Sequence, residues 1–296
     1  MKELVIISGK GGTGKTSVVA SFAALAPHPV LADCDVDAAD LHLILSPSIR
    51  HREEFVGGNR ASIDPSRCIG CGECETYCRF DAIHPAPDGN TYRVDPLACE
   101  GCGVCAHFCP AEAIAFGPAV NGEWYISDTR HGPMIHARLG IAEENSGKLV
   151  TLVRNKAKET AETLGLQLMI TDGSPGVGCP VMASLTGADA VLLVTEPTPS
   201  GLHDLDRVVD LLQRFQLPAM VCINKADLNL ELTERIEEYA VKRGLQVVGR
   251  IPYTPTVTAA QTARLSVIEY EENEAAVSLR AIWNRVAHTL EAMGDR

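Results

Sequence analysis

The chain has 296 residues, 46% apolar and 22% charged, a size that suits one large α/β domain, alone or with a small second unit. Its formal net charge of −12 is spread along the sequence with no cluster of Lys and Arg. That excludes nucleic-acid binding by phosphate neutralisation and docking on an anionic membrane. No basic segment leads into a long apolar run, and no stretch nears the roughly 20 apolar residues that span a bilayer, so a cytoplasmic protein is expected.

Residues 3–8 (ELVIIS) read as a buried strand that runs into residues 9–16, GKGGTGKT, a fit to G-x-x-x-x-G-K-[ST]. Val18, Val19, Phe22 and Leu25 then fall on one face at helical spacing, and Pro27 and Pro29 end the helix. Loop glycines let backbone N–H groups point at phosphate oxygens at the positive end of that helix. The expected nucleotide contacts are Gly9, Lys10, Gly11, Gly12, Thr13, Gly14, Lys15, Thr16 and Ser17. Lys15 should reach the terminal phosphates and Thr16 should hold Mg²⁺.

The early Lys10 makes this GKGG-x-GKT loop resemble the deviant Walker A of the MinD/ParA/Mrp superfamily, which includes the nitrogenase Fe protein. The resemblance implies an ATP-hydrolysing protein that dimerises with ATP, as a homodimer or with a paralogue, with Lys10 reaching the partner's nucleotide. Residues 29–35 (PVLADCD) form a second strand ending in acids, where that family has switch I. Asp35 is the expected residue for positioning the attacking water and supporting Mg²⁺, with Asp33 and Asp37 as rivals.

Eleven cysteines in a cytoplasmic chain point to metal or catalysis before disulfides. Eight form a repeat: Cys68, Cys71, Cys74 and Cys78 recur 31 residues later as Cys99, Cys102, Cys105 and Cys109. This C-x₂-C-x₂-C-x₃-C spacing is that of bacterial two-cluster ferredoxins, in which each fourth cysteine serves the other cluster. One [4Fe–4S] cluster is therefore expected on Cys68, Cys71, Cys74 and Cys109, the other on Cys99, Cys102, Cys105 and Cys78. Zinc would leave each four-cysteine run closed on itself. Pro110 follows the second run but Arg79 follows the first. With few apolar residues, residues 59–117 need metal clusters as staples.

Further on, residues 166–173, 190–196, 219–225 and 246–252 read as strands, separated by helices near 151–164, 201–216 and 231–243. Asp172 resembles the Walker B acid that holds Mg²⁺, and 173–178 (GSPGVG) resembles switch II. Asn224, Lys225 and Pro252 are the expected base-side contacts. Asn224-Lys225-Ala226-Asp227 also matches the guanine-reading motif of GTPases, which leaves GTP open beside ATP. Cys34 and Cys222 read as small apolar residues in buried strands, and Cys179 as structural. Stretches 132–149, 176–185 and 196–205 share the resemblance, and His131, His136, Arg138 and His203, in or beside them, read equally as phosphate or partner contacts and as plain loop residues. The stripe Leu279, Ile282, Trp283, Val286, Leu290 and Met293 reads as a helix packed on the sheet.

The expected fold is α/β, a doubly wound, mostly parallel sheet of the deviant Walker A P-loop type with a small α+β bacterial-type ferredoxin unit inserted. ATPase segments span 1–58 and 118–296 around a 59–117 insert. Its catalytic residues are Lys10, Lys15, Asp35 and Asp172. The function expected first is nucleotide-gated electron transfer through two clusters to a redox partner. Beside it stand an Mrp-like cluster assembly or delivery ATPase with a cluster-accepting partner, and a ParA-like positioning ATPase with structural clusters.

Overall fold

The computed structural model describes residues 1–140 and 146–294. β1 (Lys2–Ile7) leads through the glycine loop into α1 (Lys15–Leu25), followed by β2 (Val30–Asp33) and α2 (Leu41–Leu45). β3 (Ser48–Ile63) carries the chain to the cysteine repeat, which holds α3 (Glu73–Tyr77), β4 (Ile83–Pro85), β5 (Tyr92–Val94) and α4 (Val104–His107). β6 (Ile114–Asp128) and β7 (Pro133–Leu139) return it, and α5 (Ser146–Leu164), β8 (Leu168–Asp172), α6 (Cys179–Leu185) and β9 (Ala190–Thr195) follow. The remainder alternates as α7 (Pro199–Phe215), β10 (Ala219–Asn224), α8 (Leu230–Lys242) and β11 (Gln246–Ile251), then α9 (Thr256–Thr262), α10 (Val267–Tyr270) and α11 (Glu274–Ala292).

The main sheet runs β11-β10-β9-β1-β8-β2-β7-β6-β3. Every pairing from β11 through β7 is parallel. β1 and β9 are apolar over most of their length and buried on both faces, as parallel strands covered by helices must be. α1 departs from the one-faced stripe expected of it, because Val18 through Ala23 are all buried. It is enclosed by α2, α10 and α11 over the sheet, and Phe22 meets Trp283 of α11 with ring centroids 5.0 Å apart. The C-terminal stripe thus belongs to the core, and among the described residues no helix is long and apolar enough to cross a membrane.

Two compact units emerge, one of residues 1–53, 124–138 and 146–296, the other of 54–123 and 139–145. The second is wider than 59–117 because β3 and β6 continue into it as long strands. In the first unit, Asp33, Asp172, Glu196 and Asn224 lie at or just past the carboxyl ends of β2, β8, β9 and β10. In open α/β sheets that edge is where ligands bind. In the stretch 132–149, residues 141–145 lie outside the described residues.

Candidate functional site

Gly14 turns the glycine loop into α1 with φ 88, and a Cβ there would collide with the Asn224 amide. Glycine is required at that position on both counts. Gly9 is as constrained, since a Cβ would lie 2.5 Å from the Asp204 Cβ. Asn224 Nδ2 donates to Thr13 O at 2.7 Å, and Lys225 Nζ donates to Gly12 O at 3.0 Å. The end of β10 therefore clamps the phosphate loop from outside. Asp227 accepts from the Tyr253 backbone N–H at 2.6 Å, next to Pro252, which joins the segment after β11 to the same edge.

Lys15 is buried between two carboxylates, ion-paired with Asp172 and 3.3 Å from Asp35. Burial alone would lower its pKa, but Asp172 and Asp35 outweigh it and hold it above the ordinary value. Asp33 is fully buried and lies in register with Asp172 on the neighbouring strand. Burial and then repulsion from Asp172 drive its carboxyl well above the usual range. Burial also raises Asp35, with Lys15 opposing.

One oxygen each of Asp33 and Asp172 is buried without a hydrogen-bond partner. Two such oxygens, on residues paired in register across β2 and β8, are hard donors of the kind that fit Mg²⁺. Asp35 and Asp33 both act on Lys15, Asp35 at 3.3 Å. Ser17 is drawn away to α9, where it accepts from Gln261 Nε2 at 2.8 Å.

Lys10 folds back on its own chain: its Nζ lies 2.8 Å from Glu196 Oε1 and donates to Ser200 Oγ at 2.8 Å. Lys225 grips the other Glu196 oxygen at 2.8 Å. Burial would raise this carboxyl, but Lys10 and Lys225 outweigh it and hold it below the ordinary range. Glu196 was not foreseen as a site residue. The signal available was its place as the first acid after a buried strand.

The eight clustered cysteines divide crosswise. Cys68, Cys71, Cys74 and Cys109 line one cavity, and Cys99, Cys102, Cys105 and Cys78 line another. The repeat is carried into three dimensions in detail. Cys71 and Cys102 are exposed, Cys74 and Cys105 buried, and the other four intermediate. Burial lifts the Cys74 thiol to about 11 and raises Cys105 as well. Ala82 N donates to Cys78 Sγ at 3.4 Å, and Ala113 N to Cys109 Sγ at 3.3 Å. Asp64 N donates to Ala113 O, and Asp95 N to Ala82 O, so the halves are laced reciprocally.

Among the described residues no three His, Cys, Asp or Glu side chains converge closely enough to hold a single metal ion. Each thiol quartet lines one cavity. Thiols around a space, with N–H donors aimed at sulfur, fit a polynuclear iron–sulfur group.

The remaining expectations sort by burial. Cys34 and Cys222 are buried. Cys179 is exposed as the first residue of α6, so it is not a core packing residue. His136 is buried with its Nε2 2.9 Å from Ser127 Oγ, whereas His203 is exposed beside Asp204. His131 lies against Glu269, which Arg130 grips with two nitrogens.

A relative from Methanocaldococcus jannaschii, the uncharacterized protein MJ0578, is 35% identical over 231 residues, covering 77% of this chain and 79% of its own. The same organism holds a second, MJ0579, 27% identical over 234 residues, covering 76% of this chain and 81% of its own. An iron-sulfur cluster carrier protein from Pyrococcus horikoshii is 25% identical over 164 residues, half of this chain and 55% of that protein. The solved structure of the Pyrococcus furiosus cell division ATPase MinD superposes with a TM-score of 0.58 at 17% identity, covering 97% of this chain and 99% of that one. The family model of the CobQ/CobB/MinD/ParA nucleotide binding domain matches residues 4–267. With the glycine loop, Lys15 and its acids assembled at the carboxyl edge of a parallel sheet, the chain belongs to that nucleotide-binding family.

Proposed function

We propose that this MinD/ParA-type ATPase carries two [4Fe–4S] clusters and that its nucleotide state gates electron transfer through them to a partner protein. The observation that carries the reading is the crosswise grouping of the eight thiols, one quartet to each cavity. Lys10, Lys15, Asp35 and Asp172 are the catalytic set, with Asp172, Thr16 and Asp35 or Asp33 around Mg²⁺. Residues 9–17 cradle the phosphates, and Asn224, Lys225 and Pro252 flank the base. Mg²⁺ supplies charge neutralisation at the phosphates when bound. The chain's own groups order the loop, hold Lys15 charged and exclude water from the buried carboxylates.

ATP brings two subunits together, either two copies or this chain and a paralogue, with Lys10 leaving Glu196 for the partner's nucleotide. The presence of two relatives in one organism favours the paralogue. The clusters, when bound, supply one-electron chemistry, and the cysteine unit gives them ligands and N–H donors to sulfur.

Anaerobically purified protein should carry about eight iron per chain. ATP with Mg²⁺ should shift at least one potential by tens of millivolts, the size of coupling typical between linked sites. Zinc without iron after anaerobic reconstitution overturns the cluster assignment. Unchanged potentials overturn the gating. A second reading, cluster delivery, is favoured by the resemblance to the iron-sulfur cluster carrier protein. It predicts ATP-dependent transfer of iron and sulfide to an apo-ferredoxin, which the gating reading does not.

A further inference from the structure

The repeat supplies an internal control, because each residue lining one thiol cavity has a counterpart 31 residues away. Ile63 corresponds to Val94, Ala113 to Ala82 and Ile114 to Ile83, which keeps the inner walls alike. The outer rims are not alike. At the Cys78/Cys99/Cys102/Cys105 cavity stand Phe80 and Val104, where the other cavity has Ala111 and Glu73. Phe80 is 45% exposed and Val104 38%.

Tyr77 lines this same cavity and stacks on Phe108, its own repeat counterpart, with centroids 4.3 Å apart. Both rings are exposed. Two differences run the other way: Glu100 here stands where the other cavity has the exposed Ile69, and Ala61 where it has the half-buried Tyr92. The balance is nonetheless three exposed large apolar side chains on this rim, with Phe108 beside them, against Ile69 alone on the other. Exposed aromatic groups gathered at one place mark an interaction site more often than scattered ones.

The charge of the unit says what covers it. Residues 54–123 carry ten Asp and Glu against four Arg and no Lys, a formal −6. Glu100 lines this cavity, and Arg79 and Asp81 adjoin its Phe80 in the sequence. A second copy would bring the same negative charge, and an anionic membrane would be repelled as well. A partner with a basic rim around an apolar centre is attracted and then desolvates the aromatic groups.

Resting on the two-cluster reading above, we infer that the Tyr77, Phe80 and Val104 rim is the docking surface for a basic one-electron redox protein. Exchange there moves one electron and no atom, and the centre in the partner gains what the cysteine unit loses.

The test uses iron-loaded protein and oxidised mitochondrial cytochrome c, a basic haem protein, as probe, with affinity measured by calorimetry at low salt. Phe80→Ser should weaken binding about tenfold, the cost of truncating a buried aromatic anchor. Val104→Glu is the sharper variant. It adds a negative charge, which would tighten purely electrostatic binding of a basic probe, whereas an apolar docking centre requires it to weaken. Ile69→Ser, at the other cavity, should change affinity less than about twofold, and iron content should match wild type throughout.

If the two rim variants bind as tightly as wild type at full iron content, the docking surface is overturned and the cluster reading stands. If wild type sediments as a dimer without nucleotide and Phe80→Ser does not, the surface belongs to a second copy and the proposal fails. If the chain takes up zinc and no iron, both fall together.

Discussion

Lys10 and Glu196 form a 2.8 Å ion pair that ties the early lysine of the phosphate loop to the segment between β9 and α7 of its own chain. The lysine side chain is 31% exposed and the glutamate 12%, so the bond is neither free in water nor sealed. In the proposed dimer, its release frees Lys10 for the other subunit. Lys10→Ala should abolish ATP-dependent dimerisation while nucleotide binding to the monomer stays near wild type, read by sedimentation with a non-hydrolysable ATP analogue. Glu196→Gln should lower the nucleotide concentration needed for dimerisation by up to about fivefold, since partly exposed pairs contribute about 1 kcal/mol or less. Unchanged dimerisation in both variants would make the ion pair incidental.

Asp172 holds Lys15 and crowds Asp33. Asp172→Asn removes its charge from both and, on the proposed site assignment, weakens the Mg²⁺ shell. Phosphate release should fall by about a hundredfold or more, the usual cost of losing a preorganised charge at a reacting phosphate, while nucleotide binding changes far less. Retained hydrolysis would assign the metal to Asp33 and Asp35.

His136 gives a pH signature. Burial, then the nearby His42, lowers its pKa to about 4 from the ordinary value near 6.5. The unfolded chain therefore takes up a proton that the folded chain refuses. Stability from this group is complete above about pH 6.5 and is lost as pH falls toward 4, by roughly 1–3 kcal/mol. Urea denaturation across that window should be steeper in pH for wild type than for His136→Gln. Parallel profiles would refute the assignment.

At the opposite edge of the sheet, Arg154 donates to both oxygens of buried Glu3, at 2.8 and 2.6 Å, and Lys158 adds a second cation at 3.2 Å. Glu3→Ala leaves the guanidinium buried without its carboxylate and should destabilise the first unit by about 3–5 kcal/mol. Glu3→Gln, which keeps one acceptor, should cost less. Equal losses in thermal unfolding would assign the cost to shape and not charge.

Removing the proposed clusters should be felt locally. Under a strong iron chelator and reductant, proteolysis should cut within 54–123 well before 146–294, because ligand binding and folding there form one equilibrium. Uniform resistance would show a unit that folds on its apolar contacts alone.

The parallel strands were legible because continuous apolar runs bounded by acids and glycines have few other readings, and the cysteine cavities because a repeat of 31 constrains both halves at once. The long β3 and β6 were not. Stretches such as SIRHREEFVGG alternate charge with small residues and bury only Phe55 and Gly57, so no apolar period announces them. Glu3, Arg154 and Glu196 also escaped, since a buried ion pair depends on residues more than a hundred positions apart in one case and on a side-chain direction in the other. Asp33 was seen only as a rival to Asp35, because two residues apart on a strand end do not reveal which one is fully buried.

The exchange of fourth cysteines has a consequence for synthesis of the chain. As the polypeptide leaves the ribosome, Cys68, Cys71 and Cys74 emerge early but wait for Cys109, and Cys78 waits for Cys99 through Cys105. One quartet is complete only when residue 105 has been made and the other only at residue 109. A chain broken off before residue 105 therefore presents no finished quartet, although Cys68, Cys71, Cys74 and Cys78 have all been made by then.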